Sequence, residues 1–64
     1  MSKHRVRLHT WTNERLEVRD EWFEDFNSAM SFANTAAAHR IKVYNPDGHI
    51  VHSGIPANQP VTYA

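Results

Sequence analysis

The sequence predicts a two-layer α+β sandwich, in which one amphipathic helix packs on a mainly antiparallel sheet of three to four strands in the order ββαββ. Three observations predict it. Polarity alternates from Arg5 to Trp11 and again around Leu16 and Val18, the period of half-buried strands. Between Phe26 and Ala38 the period lengthens to that of a helix. Ile41-Lys42-Val43-Tyr44 then returns to alternation, directly before the turn sequence Asn45-Pro46-Asp47-Gly48.

In the first strand Val6, Leu8 and Thr10 share one side, and Arg5, Arg7, His9 and Trp11 share the other. The second interleaves Leu16 and Val18 with Arg15, Glu17 and Arg19. Between them Thr12-Asn13-Glu14 is short and polar, which makes the pair an antiparallel hairpin, but without glycine the turn leaves the register open. Trp22 and Phe23 fall in the connection to the helix, where large aromatics seal the edge of a small core.

At 100° per residue, Phe26, Ala29, Met30, Phe32, Ala33, Ala36 and Ala37 lie within an arc of about 160°. Asn27, Ser28, Ser31, Asn34 and Thr35 lie outside it. Asp25 or Asn27 supplies the N-cap. Glu21, Glu24 and Asp25 set negative charge near the positive end of the helix dipole, and His39 and Arg40 set positive charge near the other end. Alanines on the inner face let helix and sheet approach closely.

In Asn45-Pro46-Asp47-Gly48 proline presets the first central φ, aspartate tolerates the second, and glycine takes the left-handed position of a bulge. With residue 45 opposite 49, Tyr44 faces Ile50, Val43 faces Val51 and Lys42 faces His52. Gly54 and Pro56 stop this strand. Residues 1–54 therefore form one small domain, and Ile55 to Ala64, with two prolines and no charge, form a loosely docked or disordered tail in which Val61-Thr62-Tyr63 offers a short edge strand.

A chain of 64 residues buries only roughly 60% of its unfolded surface, close to the lower limit for an unaided core. The chain has no cysteine, so neither a disulfide nor a thiolate metal site can reinforce it. Packing or a partner must do so. Seven basic against seven acidic residues remove any whole-molecule argument for nucleic acid. The charges are nonetheless segregated: residues 1–19 carry a net of +3, residues 20–38 a net of −4 and residues 39–64 a net of +1. Met1 to Arg5 leads into alternation rather than an apolar run, and no stretch of eighteen apolar residues occurs, so we expect a cytoplasmic protein without a membrane partner.

Catalysis finds no foothold in the sequence. Five histidines, His4, His9, His39, His49 and His52, invite a metal reading, but His49 and His52, three apart on a strand, point to opposite faces and cannot share an ion, and neither cysteine nor a clustered carboxylate joins them. Asp47 beside His49 is the nearest acid-base pair, and it sits at a hairpin tip where nothing excludes water. We expect no enzyme, metal, cofactor or small-molecule substrate. The acidic run Asp20 to Asp25 has its simplest explanation in the helix dipole.

A single helix covers one side of a sheet and leaves the other for water or a partner. Carried through by alternation, that uncovered face holds Arg5, Arg7, His9, Trp11, Arg15, Arg19, Lys42, Tyr44, Ile50 and His52, with Glu17 its one acid. The expected function is a small binding or interaction module that self-associates through this face, as a homodimer, or through the helix's outer face. That outer face is uncharged from Phe26 to Ala38, so a protein surface approaches it at low desolvation cost. The alternative is single-stranded nucleic acid, stacked on the aromatic rings and held by the arginines.

Overall fold

The computed structural model describes residues 3–56. The order is β1 (His4–Thr12), β2 (Arg15–Phe23), α1 (Phe26–Thr35), β3 (Arg40–Tyr44) and β4 (Ile50–Gly54). The strands form one antiparallel sheet in the order β2-β1-β3-β4, so the chain crosses over β1 by way of the helix. This is the expected α+β sandwich.

Val6 and Leu8 of β1 face Val43 and Ile41 of β3, and α1 lowers Ala29 and Ala33 onto them. Ala36 and Ala38 complete the buried set, with Phe23, Met30 and Phe32 packed at its margin. Val6 and Val43 are the largest fully buried side chains. Four alanines among eight core residues mean that close backbone approach, more than side-chain volume, builds this core.

The helix starts where Asp25 accepts hydrogen bonds from the Ser28 N–H at 2.9 Å and the Ser28 hydroxyl at 2.8 Å. It is shorter than its periodicity suggests. Ala36 is already extended, with φ −69° and ψ 143°, and an extended segment buries Ala36 and Ala38 by alternation while leaving Ala37 outside. Neither the first turn nor the last carries a charged side chain of the favourable sign. Glu24 pairs with Lys3 and Glu21 with Arg19, so the dipole is met by Asp25 alone rather than by the whole acidic run.

Two registers differ from the sequence reading. The turn between β1 and β2 has two residues, Asn13 and Glu14, both left-handed at φ 50° and 66°, and it pairs Thr12 with Arg15. A three-residue turn would have set Arg15 opposite Trp11. One residue fewer turns the whole of β2 over, so Arg15, Glu17 and Arg19 lie on the helix side and Leu16 and Val18 on the other. β2 also runs on through Trp22 and Phe23, which belong to the strand and not to a connection. Phe23 fixes the orientation by packing on Phe32, ring centroids 5.0 Å apart.

In the second hairpin Tyr44 faces Ile50 as expected, but a bulge at Val51 then sets Val43 opposite His52 and Lys42 opposite Ser53. His52 is therefore on the helix side, not beside Lys42. The turn itself forms as its residues dictate. Gly48 takes φ 88° and donates to the Asn45 carbonyl at 2.9 Å, and the Asn45 side chain accepts from the N–H groups of Asp47 and His49. Ile55 is exposed and Pro56 buried, and the expected tail lies beyond the described residues from 57 onward. Among the described residues no helix is long and apolar enough to cross a membrane.

Candidate interaction surface

The helix covers one side of the sheet, and the other side is ordered by the pairing into rungs. Trp22, Arg5, Tyr44 and Ile50 form the first, across all four strands. Asp20, Arg7, Lys42 and Ser53 form the second, Val18, His9 and Arg40 the third, and Leu16 and Trp11 the last. Of the residues expected on this face, Arg5, Arg7, His9, Trp11, Lys42, Tyr44 and Ile50 come together. Arg15, Arg19 and His52 do not share it, for the register reasons above.

Arg5 is held between rings. Its guanidinium carbon lies 4.1 Å from the Tyr44 centroid and 5.6 Å from that of Trp22. Its Nε is buried and has no hydrogen-bond partner among the described residues, which fits a guanidinium held by ring faces. Arg7 lies 5.8 Å from the same Tyr44 ring and spends its fork on Asp20, at 2.8 and 3.0 Å. The Arg7 hydrogen bonds hold the Asp20 carboxyl below its ordinary range. His9 is pushed below the ordinary histidine value by burial first, with Lys42 and Arg7 adding repulsion.

The residues missed by the sequence reading are the apolar ones of β2. Leu16 is 52% exposed, Val18 48% and Trp22 57%, all on the uncovered face of an edge strand. Their alternation was visible, but the turn length that decides its direction was not. Trp11 and Ile50, at 40% and 53%, extend the apolar surface along and across the same face. Beyond the reach of β3 the β1–β2 hairpin continues as an arm, and the Trp11 N–H there donates to His39 Nδ1 at 2.9 Å.

A hollow of about 200 Å³ lies at one end of the face, lined by Lys3, Arg5, Trp22, Tyr44 and the 45–48 turn. Small-molecule sites usually hold roughly 300 Å³ or more. Among the described residues no three His, Asp or Glu side chains gather as a metal site would require. The outer face of α1 exposes Asn27, Ser28, Ser31, Asn34 and Thr35, as expected, with Phe26 at its start edge-on to the His4 ring. No family model, no curated protein and no solved structure matches the chain.

Proposed function

We propose that the chain is a cytoplasmic, non-catalytic interaction module whose partner is a second copy of itself, received on the β2 side of the open sheet face. One observation carries this reading. An edge strand presents Leu16, Val18 and Trp22 about half exposed on a face that none of the described residues covers. Apolar surface of that kind marks a contact site, and a core built around valine and alanine gains from any further burial.

Single-stranded nucleic acid is the weaker occupant. Stacking needs open ring faces, and Arg5 already lies over one face of Tyr44 and beside Trp22. Phosphate contact needs unpaired cations, while Arg7 is held by Asp20 and both Arg15 and Arg19 face the helix side.

Sedimentation equilibrium from low to high micromolar concentration tests the reading. A dimer that dissociates on dilution is the expected result, and a strict monomer throughout overturns it. Amide chemical shifts titrated with a short mixed-sequence single strand test the alternative. Shifts on the open face that vanish as salt rises would transfer the surface to nucleic acid.

A further inference from the structure

The sheet has two edges, and they are unlike. β4 has five residues and a bulge at Val51, two features that blunt an edge against pairing. β2 has nine residues and pairs with β1 without interruption from Arg15 to Phe23. Its outer side is a row of backbone donors and acceptors with no strand beside it among the described residues.

The two-residue turn fixes which groups point outward. It makes Thr12 and Arg15 a hydrogen-bonded pair, so the odd-numbered residues of β2 turn their N–H and C=O groups toward β1. Leu16, Val18, Asp20 and Trp22 turn theirs to the edge. A second β2 can therefore add antiparallel, and a two-fold axis normal to the sheet keeps both helices on one side.

Charge then selects the register. With the axis at Val18, Arg15 lies opposite Glu21 of the second copy, and Glu17 lies opposite Arg19 of the second copy. Each pair occurs twice, on the helix side. On the open side Val18 meets itself, and Leu16 lies beside an Asp20 already neutralised by Arg7. Moving the axis to Glu17, Arg19, Asp20 or Glu21 sets that charge against its own copy. An axis at Leu16 pairs Arg15 with Glu17 but overlaps only residues 15–17 of β2, whereas the Val18 register overlaps residues 15–21 and brings both sets of opposite charges together without a like-charged pair.

We infer that two chains join through their β2 edges, antiparallel about Val18, into one eight-stranded sheet. The inference rests on the self-association reading and goes further, since it places the seam at the β2 edge, where Val18 and Leu16 of the open face meet the second copy and Trp22 lies outside the overlap. The alternating Arg15, Glu17, Arg19 and Glu21 are then a recognition pattern for the same strand in another copy. In one chain Arg19 rests on Glu21, at 2.9 Å, and in the dimer it gains Glu17 from across the seam.

The absence of cysteine makes the test clean. Across a hydrogen-bonded antiparallel pair the Cα atoms are about 5.5 Å apart, within disulfide reach. Val18→Cys is therefore expected to oxidise quantitatively to a disulfide dimer. Leu16→Cys, equally exposed, sits roughly 13 Å from its own copy and is expected to remain reduced. Glu17→Arg and Arg19→Glu should each weaken the dimer by about tenfold, and mixing the two variants should restore it as a heterodimer. A wild-type dimer in which Val18→Cys forms no disulfide and Glu17→Arg changes nothing overturns the seam and leaves self-association standing. A monomeric wild type overturns both.

Discussion

Arg7 grips Asp20 across the β1–β2 ladder with two parallel hydrogen bonds, 2.8 Å from Nε and 3.0 Å from the terminal nitrogen, on a sheet face that no element among the described residues covers. Both side chains are about two-thirds shielded, which lifts the pair above an ordinary surface ion pair. Because the pair holds the folded Asp20 carboxyl below its ordinary 3.8, the unfolded chain binds more protons as that value is approached from above. The stabilisation is complete above pH 3.8 and is lost as pH falls through the lower, folded value. Asp20→Asn should cost about 1 kcal/mol at neutral pH and flatten the acid limb of stability against pH, measured by urea denaturation. Asp25, lowered chiefly by the Ser28 N–H, keeps part of that limb in place.

His9 works in the same direction at higher pH. Burial, Lys42 and Arg7 disfavour its charged form, so its folded value lies below the ordinary 6.5, against a smaller opposing pull from Asp20. Between the two values the unfolded chain takes up the proton and the folded chain does not. Stability should therefore be full above pH 6.5 and decline as pH drops from there toward the folded value. His9→Gln is expected to remove that decline while leaving the acid limb near pH 3.8 unchanged.

The turn of the first hairpin stores correctable strain. Glu14 stands at φ 66°, where a side chain with a Cβ is disfavoured and glycine is not. Asn13 at φ 50° suits its place, since asparagine visits this region readily. Asn-Gly is the preferred pair for a two-residue turn with both residues left-handed. Glu14→Gly should raise stability by about 0.5–1 kcal/mol and raise the thermal midpoint, whereas Asn13→Val should lower both.

That same turn marks how far the sequence could be read. Asn45 to Gly48 was legible because proline, aspartate and glycine each exclude competing geometries, and Val6, Leu8, Ile41 and Val43 were legible as the covered side of their strands. Asn13-Glu14 excludes nothing locally, so two or three turn residues were equally compatible, and that single residue decided where Arg15 and Arg19 face. Alternation along β2 could not arbitrate, because the helix reaches only its Phe23 end and Arg15 to Arg19 are exposed on both sides. The bulge at Val51, which moved His52 across the sheet, leaves no glycine or proline signature at its site. Ala36 to Ala38 are equally at home in a helix or a strand, so the helix end was decided by the path back to β3.

The closest approach of the two layers gives the last prediction. Ala29 and Ala33 have no exposure, and they face β1 and β3 where Val6 and Val43 are fully buried. A larger side chain at Ala33, which has no exposure, must press on the core residues around it. It must lift α1 from the sheet, which would also disturb the Phe23–Phe32 contact that anchors β2. Ala33→Leu should therefore lose about 1–3 kcal/mol, although leucine favours both helix and burial. The loss should be read as a fall in the urea midpoint with the helical circular dichroism of the native baseline retained. A stabilised Ala33→Leu would mean that helix and sheet are held farther apart than these contacts require. If β2 is oriented by its anchor on Phe32, the same substitution should also weaken self-association, because the open-face residues Leu16 and Val18 depend on that orientation.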